Sequence, residues 1–354
     1  MRVYYVSSGL QGCYIVRCLL PLQANGWDGD QTSIIPTNKT PEDKKRAAVA
    51  SDIVVFHRPE DPKKLELARA LKSLGKKIVF DNDDTYKDNK SVKLNEYMDK
   101  ERVDKGLASI NTVVDTFIKE ADLVTCSTDV LAEEYGKLSD TVKVLPNCID
   151  PFLFDEPLRN EGEKVRIGIT GSVGLTTDLD VLFPILDHYQ NDSRVTLVFF
   201  SLNKEPTKLM REIYSDEYKL LESLNMEWQP LVDAHEYYRV LNELRLDVQI
   251  IPRKDNYFNR CKSNIKFLES SMLEIPVIGQ GFPDGKSPYQ ANPKDAECML
   301  IAESHDDWIN HIEALIADKE KRREMGRSAR EYVEENYDIE RNAHLWEEAY
   351  KEIV

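Results

Sequence analysis

The chain of 354 residues is too long for one ordinary hydrophobic core and has the length of two domains of roughly 150 residues each. Its net charge of −16 disfavours stable binding to nucleic acid or to an anionic membrane, because both require basic surface. No apolar run approaches the roughly 20 residues of a membrane span. The six cysteines are scattered without a metal-binding pattern, so we expect a cytoplasmic protein with reduced thiols.

Short apolar runs alternate with amphipathic stretches, which is typical of βαβ units and a parallel sheet. In the first half, the apolar runs predict strands and the periodic segments between them predict helices. Thr128 is placed to cap the helix that follows its strand. The predicted strands are 3–7, 33–35, 53–56, 77–80, 123–126 and 142–145, and the predicted helices are 15–24, 62–74 and 104–119.

A polar stretch at 154–164 is typical of a linker between domains, and the alternation restarts after it. Thr177 is predicted to cap a helix that ends at Tyr189. The predicted strands of this half are 165–170, 195–200, 248–252 and 277–278, and the predicted helices also include 208–224, 236–244, 265–272 and most of 319–353.

These patterns predict an α/β protein with two doubly wound parallel-sheet domains that face each other across a cleft. We assign residues 1–155 to the first domain, 164–325 to the second, and 326–354 to a helical segment that crosses back to the first domain. Within that segment, Trp346 and Tyr350 are four residues apart and therefore share one helix face.

A glycine-containing loop follows the first predicted strand of each domain. Ligands bind beyond the carboxyl ends of parallel strands, and glycine lets a ligand approach the backbone closely. Gly9, Gln11 and Gly12 in the first domain are therefore expected to line the cleft opposite Gly171 and Ser172 in the second. Neither loop is a complete GxGxxG motif, which argues against a nicotinamide cofactor.

The densest group of basic residues follows strand 248–252 and leads into helix 265–272. Ser263 or Asn264 is placed to cap this helix, whose first amides are available to a diphosphate. Glu269 lies one turn beyond Lys266, where it can accept hydrogen bonds from ribose hydroxyls. The alternative is a solvated basic face. The cluster comprises Arg253, Lys254, Arg260, Lys262 and Lys266.

Three carboxylates, Asp81, Asp83 and Asp84, crowd the end of strand 77–80. Their mutual repulsion costs stability unless a cation, a hydroxyl network or catalysis requires them. We consider a divalent-metal site on a nucleotide diphosphate, a set of acceptors for sugar hydroxyls, and a helix-capping turn. His57 follows a neighbouring predicted strand and is expected at the same sheet edge, either binding substrate or serving a structural role.

Two groups of segments resemble a known family. The first runs from Lys262 through Glu269 to Gly279, with 274–278 in the place of a G-x-P-V-[IV] motif. The second, 121–128 followed by 144–150, is similar to a pattern "ADxVxxxS … VxPNGxD" that closes a first domain. On these residues the chain resembles the GT-B glycosyltransferases, most closely the retaining family-4 enzymes (glycosyl transferases group 1).

The resemblance implies a GT-B fold of two Rossmann-like domains, with a nucleotide sugar bound by the second. Glu269 matches the second Glu of the family's Glu-x7-Glu motif, which binds the nucleotide ribose, whereas Cys261 stands at the first Glu. Residues 171–174 replace the Arg and Lys that hold the diphosphate in the family. We expect Lys262, Lys266 and the loop amides to take over that role.

The resemblance predicts a retaining glycosyltransferase that moves a sugar from a nucleotide-diphosphate donor to the hydroxyl of a glycan, lipid-linked glycan or other biopolymer. The family's catalytic-region His aligns with 81–84, so Asp81, Asp83, Asp84 and His57 are the predicted catalytic residues. The nucleotide sugar is a co-substrate, and neither a cofactor nor a divalent metal is expected.

Other functions are compatible with the same sequence. One is a nucleotide-sugar epimerase on this fold, and another is a non-catalytic GT-B-derived protein that binds nucleotide or acts as a scaffold. A DNA-modifying phage glycosyltransferase is a subclass of the main hypothesis that the acidic charge disfavours. The sequence determines neither the donor sugar, the base, the acceptor nor the oligomeric state.

Overall fold

A computed structural model describes residues 1–7, 12–30, 39–86, 100–171, 173–290 and 298–354. Gly9, Gln11, Ser172 and the strand predicted at 33–35 lie outside the described residues. The described residues form two domains, each on a six-stranded sheet whose neighbouring strands are all parallel.

The four inner strands of the first sheet are largely apolar and buried on both faces, as expected for a parallel sheet covered by helices on each side. Its strands are β1 Val3–Val6, β2 Asp28–Gly29, β3 Ile53–His57, β4 Lys77–Asn82, β5 Leu123–Cys126 and β6 Val142–Val144. They are ordered β2-β1-β3-β4-β5-β6. The helices are α1 Gly12–Tyr14, which continues through a π-helical turn Ile15–Leu19 into α2 Leu20–Ala24, then α3 Pro41–Ala50, α4 Pro62–Ser73, α5 Lys100–Glu120 and α6 Asp129–Tyr135.

The second sheet repeats this design. Its strands are β7 Val165–Thr170, β8 Val195–Phe200, β9 Glu227–Gln229, β10 Val248–Ile251, β11 Val277–Gln280 and β12 Met299–Ala302. They are ordered β12-β11-β10-β7-β8-β9. The helices are α7 Leu179–Tyr189, α8 Lys208–Ile213, α9 Ser215–Glu222, α10 Tyr237–Glu243, α11 Tyr257–Arg260, α12 Ile265–Met272, α13 His305–Ala317, α14 Lys319–Asn336 and α15 Ile339–Lys351.

Several predicted elements are confirmed residue for residue, namely the strands 123–126, 165–170 and 195–200 and the helix 265–272. Thr128 caps α6, and its hydroxyl accepts a hydrogen bond from the Leu131 amide at 3.4 Å.

Two local predictions are wrong. Thr177 does not cap a helix, because a 3₁₀ turn Val173–Asp178 precedes α7 and the Thr177 hydroxyl instead donates to the Gly174 carbonyl at 2.7 Å. The single helix predicted over 208–224 is divided at Tyr214 into α8 and α9. Pattern reading also missed α3, β12 and α13.

The last helix, α15, packs on the first domain. Trp346 and Tyr350 are fully buried there, and the Tyr350 and Tyr5 hydroxyls share a hydrogen bond of 2.9 Å. The chain crosses beside the inter-domain segment, where the Ile149 amide donates to the Tyr337 carbonyl and the Ile339 amide donates to the Ile149 carbonyl, each at 2.8 Å. The carboxyl-terminal segment therefore joins the two domains a second time.

Among the described residues, no helix combines the length and the apolar character that crossing a membrane would require.

Truncating Trp346 should test this second connection. Trp346→Ala removes a fully buried indole from the first-domain core, so we expect the free energy of unfolding to fall by about 3–5 kcal/mol. Urea unfolding followed by circular dichroism measures the change. Glu348→Ala, an exposed position on the same helix, is the control and should leave the transition nearly unchanged. Equal stability of the two variants would show that α15 does not support the first domain.

Candidate active site

The carboxyl ends of β1, β3 and β4 meet at one edge of the first sheet. His57, the last residue of β3, lies in register with Asp81 of β4. Arg58 follows with φ of 49°, a left-handed conformation that non-glycine residues rarely adopt. Its amide donates to the Asp81 carbonyl at 3.0 Å. Such local strain is concentrated at functional sites, so this edge is a candidate for one.

Asp81 is held in a buried ion pair with Arg17. Arg17 donates to its two carboxylate oxygens at 2.6 and 3.2 Å, and the Thr125 hydroxyl donates to it at 2.6 Å. Both charged side chains are at most 1 % exposed. These contacts favour a structural role for Asp81 over the predicted contact with substrate. Sequence reasoning missed Arg17, although a lone cation inside the apolar run 14–22 was a usable signal.

Asp83 faces a different set of partners from Asp81. Its carboxylate lies 3.7 Å from the His57 Nε2 atom and 4.0 Å from an Arg58 guanidinium nitrogen. Burial by itself raises the pKa of Asp83, but the neighbouring His57 and the charge of Arg58 outweigh it and hold the pKa far below the ordinary carboxyl value. Asp83 is therefore an ionised carboxylate beside His57 at neutral pH.

Asp84 connects the two domains. Its carboxylate accepts a hydrogen bond from the Lys262 ammonium of the second domain at 2.5 Å and lies 3.8 Å from Arg58. Lys262 also lies over the Phe258 ring, 4.0 Å from its centroid. The predicted donor-binding loop and the predicted acceptor-side carboxylates thus meet in one cleft.

Lys266 and Glu269 form the core of the second-domain site. The Lys266 ammonium donates to Glu269 at 2.9 Å and to the Tyr237 hydroxyl at 2.7 Å, and it lies 4.4 Å from the Tyr237 ring centroid. Burial alone would lower the pKa of Lys266, but the Glu269 charge and the tyrosine outweigh it, so the pKa is raised and the ammonium persists. Sequence reasoning missed Tyr237, which carries no motif signal. Gly171 lies just beyond β7, after Thr170.

The other predicted basic residues are also paired with carboxylates. Arg253 donates to the buried Asp178 at 2.8 Å, Lys254 to Asp180 at 2.6 Å, and Arg260 to Asp255 and Asp284 at 2.6 and 2.5 Å. Each of these cations therefore has a carboxylate partner in the structure. The physical reason is the acid-rich composition of the chain, which supplies a partner for each of these cations.

The loop before α12 docks on the first domain. Asn264 occupies the N-cap position of α12, but its side chain makes no capping hydrogen bond. The Ser263 hydroxyl accepts from the Asn147 side chain at 2.8 Å, and the Cys261 carbonyl accepts from Thr128 at 3.3 Å. Cys261 itself is fully buried against the first-domain core, so it does not offer a substitute for the family's first Glu.

Of the residues predicted in the first-domain cleft loop, Gly12 lies within the described part of the chain, exposed at the start of α1. Across the described residues, no group of three or more His, Cys, Asp and Glu is arranged to hold a metal ion.

Comparison with known proteins agrees with this architecture. The sequence profile of the family described as "Glycosyl transferase-like" matches residues 197–348. A search of curated protein sequences returns no significant match.

Solved structures resemble the whole chain. Sucrose-phosphate synthase from Thermosynechococcus elongatus has a TM-score of 0.68 at 14 % identity and covers 100 % of this chain and 99 % of its own. Anabaena HepE in complex with UDP-glucose has a TM-score of 0.64 at 12 % identity, covering 99 % of each chain. A glycosyltransferase from Rickettsia africae has a TM-score of 0.63 at 13 % identity, covering 99 % and 97 %. The predicted GT-B fold is confirmed by these neighbours. The resemblance to glycosyltransferases is confirmed at the level of the family profile over residues 197–348, and the closer likeness to the retaining family-4 enzymes stays a prediction.

Removing Arg17 should test the buried pair. Arg17→Ala leaves Asp81 as an uncompensated buried charge, so we expect a loss of about 3–5 kcal/mol in the free energy of unfolding, measured by urea denaturation. The double variant Arg17→Ala/Asp81→Ala should lose less than the sum of the single losses. Arg69→Ala, which breaks the exposed Arg69–Glu120 pair, is the control and should change stability far less. Additive single losses would contradict a coupled pair.

Proposed function

We propose, from the GT-B fold and the glycosyl transferase-like match of the second domain, that this chain transfers a sugar from a nucleotide-diphosphate donor to an acceptor hydroxyl with retention of configuration. The bond from the sugar C1 to the diphosphate oxygen breaks, and a bond from the acceptor oxygen to C1 forms. The acceptor proton passes to the departing diphosphate. The observation that carries the proposal is the Lys262–Asp84 contact of 2.5 Å, which joins donor-side and acceptor-side groups across the cleft.

The donor side consists of Glu269, Lys266 and the start of α12. Glu269 is 7 % exposed and would accept hydrogen bonds from the ribose hydroxyls. No side chain caps the first amides of α12. These amides lie at the positive end of the helix dipole, where an anion is stabilised. HepE, a structural neighbour, was solved with UDP-glucose, which supports a UDP sugar as the first donor to test.

Charge redistribution would stabilise the leaving group. The Lys262 ammonium is neutralised by Asp84. A bound diphosphate competes with Asp84 for this ammonium, and the interaction strengthens as negative charge builds up on the leaving oxygen. Stabilisation of charge that develops in the transition state is usually the largest single contribution to catalysis. No divalent ion is required in this scheme.

The acceptor side consists of His57, Asp83 and Asp84. The ionised Asp83 carboxylate lies 3.7 Å from the His57 Nε2 atom. The two groups would position the acceptor hydroxyl next to C1. Asp81, engaged by Arg17, would fix the strand end on which they stand.

A nucleotide screen tests the donor site. We expect a UDP sugar, without Mg²⁺ or Mn²⁺, to raise the melting temperature, because ligand at 100 times its Kd adds about 2.7 kcal/mol to the folded state. Lys266→Ala and Glu269→Gln should abolish that shift. Lys219→Ala and Asp216→Asn break an exposed Lys–Asp pair with the same three-residue spacing and are the matched controls.

Each outcome of the screen has a distinct meaning. A shift that requires metal would contradict the metal-free scheme, and a shift that survives both site variants would contradict the assigned donor site. Nucleotide binding without transfer to any acceptor would favour a binding protein. Interconversion of sugars without acceptor would favour an epimerase.

The acceptor side has its own test. Asp83→Asn should lower kcat by about 100-fold while the nucleotide-induced shift stays at the wild-type value, because Asp83 acts on the acceptor rather than the donor. Steady-state kinetics at saturating donor measures the loss, with the exposed Asp140→Asn as control. A loss confined to the donor KM would show that Asp83 acts on the donor and would contradict this prediction.

A further inference from the structure

A small cavity lies at the opposite edge of the second sheet from the candidate active site. Residues 246–247 immediately precede β10 and Pro276 immediately precedes β11, so the cavity is formed at the amino ends of these strands. The candidate active site lies beyond the carboxyl ends. The inter-domain segment contributes residues 159–160 to the lining, and the beginning of α14 contributes the rest of its basic side chains. We call this space the basal cavity.

The size of the basal cavity limits what it can hold. Its volume is about 30 Å³. A single water molecule needs about 10–15 Å³, whereas a pocket that encloses a whole organic ligand has about 300–1,000 Å³. The basal cavity therefore has room for one small group, such as a phosphoryl group, and the rest of a larger ligand would stay in solvent.

The lining of the basal cavity is basic, although the chain as a whole is acidic. Four basic and two acidic residues line it, which gives the lining a net charge of +2 in a chain whose net charge is −16. The basic residues are Arg159, Lys319, Arg322 and Arg323, and the acidic residues are Asp247 and Glu274. A concave site whose charge has one sign concentrates ions of the other sign, so the lining favours an anion.

The first carboxylate, Asp247, already has partners. It accepts hydrogen bonds from the Asn160 side chain at 2.5 Å and from the Arg166 amide at 2.9 Å. Its other oxygen lies 3.8 Å from the Arg322 guanidinium. These contacts hold the Asp247 carboxylate in place and neutralise most of its effect on an incoming anion.

The second carboxylate, Glu274, is also engaged. The Arg159 guanidinium donates to its carboxylate and to its backbone carbonyl, and Arg330 lies 3.8 Å from the carboxylate. Each lining carboxylate is thus associated with one lining arginine. No lining carboxylate remains for Lys319 and Arg323 among the described residues.

Three of the cations lie on one face of α14. Arg322 and Arg323 follow Lys319 by three and four residues, a spacing that places all three side chains on the same side of the helix. Arg322 is 8 % exposed. Its guanidinium donates to the Leu315 and Ile316 carbonyls at 2.5 and 3.3 Å, which fixes its position at the cavity.

The other two cations of α14 are exposed and available to a ligand. Lys319 forms no ion pair with any described residue. Arg323 lies 3.8 Å from Glu320, and both side chains of this pair are about half exposed or more. Such exposed pairs contribute little to stability, so an anion can replace Glu320 at little cost.

Gly326 explains how α14 reaches the cavity. A Cβ atom at this position would clash with the Glu274 carbonyl oxygen, so the helix packs directly against the backbone that joins α12 to β11. Only glycine permits such a close approach of two backbones. The packing of α14 therefore fixes where its cationic face lies relative to the strand ends.

We propose that the basal cavity binds a phosphoryl group, either as inorganic phosphate or as the phosphate end of a small molecule. Lys319 and Arg323 donate hydrogen bonds to the phosphate oxygens, and Arg322, the most buried of the four cations, supplies further positive charge. Arg159 of the inter-domain segment lines the same cavity, so a bound phosphate connects this segment to α14. The site is separate from the proposed glycosyl transfer and does not depend on it.

Calorimetric titration of the full chain tests the site. Inorganic phosphate is the first probe and glycerol phosphate, a phosphate monoester, is the second, both in chloride buffer of constant ionic strength. We expect phosphate to bind, and Lys319→Ala/Arg323→Ala to raise its Kd at least tenfold. Lys319→Gln/Arg323→Gln, which keeps long side chains without the charge, should do the same. Binding of both probes would show that the site accepts a phosphorylated small molecule, and binding of phosphate alone would assign it to the free anion.

Two controls separate this site from other effects of charge. Lys321→Ala/Arg327→Ala also removes two exposed cations from α14, one of which likewise pairs with Glu320, but neither residue lines the cavity. Lys266→Ala alters the proposed donor site, where a phosphate could bind instead. Both control variants should bind phosphate with the wild-type Kd.

Four results would overturn the inference: no binding of phosphate, the wild-type Kd in both double variants of the cavity, equal weakening in the α14 control, or loss of phosphate binding in Lys266→Ala. The last result would assign the phosphate to the donor site. Melting curves without ligand establish that each variant is folded. The nucleotide-induced shift is measured on the same samples and should be unchanged in the cavity variants, so the two sites succeed or fail separately.

Discussion

The buried Arg17–Asp81 ion pair is the interaction on which the arrangement of the cleft depends. Arg17 also donates to the Leu145 carbonyl and to the Asn147 side chain, at 3.3 Å for the latter. Asn147 in turn donates to Ser263 in the second domain. One guanidinium thus ties a strand end of the first sheet to the loop that precedes α12. A buried charge is stable only when it is fully paired, so removing any one member of this network would destabilise the protein.

The carboxyl-terminal helix protects the same network. The Arg17 guanidinium lies 5.9 Å from the Trp346 ring centroid, and Tyr350 packs on Tyr5 and Trp27. The segment that returns from the second domain therefore completes the core beneath the first-domain site. The side chains that hold the carboxyl-terminal helix on the first domain therefore also surround the Arg17–Asp81 pair.

The pairing of basic side chains with carboxylates is the second constraint on the site. The predicted basic residues of the second-domain site each contact a carboxylate. Lys262 is distinctive because its partner lies in the other domain. A ligand phosphate that replaces this partner would exchange one anion for another, which costs less than exposing a bare ammonium in a partly buried cleft.

The sequence by itself determined the fold class and most of the elements near the site. Strand and helix periods, apolar runs and loop glycines are local properties, and they predicted the two parallel-sheet domains and the helix 265–272 correctly. The three local carboxylates were recognisable, as was the basic cluster. The helix α3 was missed because its residues are mostly polar and, of them, Ala48 is the buried one. The strand β12 was missed although Met299–Ala302 is an apolar run.

Only the tertiary structure decided what each charged residue does. Asp81 and Asp84 looked equivalent in the sequence. In the structure Asp81 is buried in an ion pair with Arg17, whereas Asp84 contacts Lys262 of the second domain. The partner of Asp84 is 178 positions away along the chain, and that of Asp81 is 64 away. Ion pairing depends on distances of a few ångströms between side chains, and such distances between remote segments are set by the packing of whole domains rather than by any local pattern.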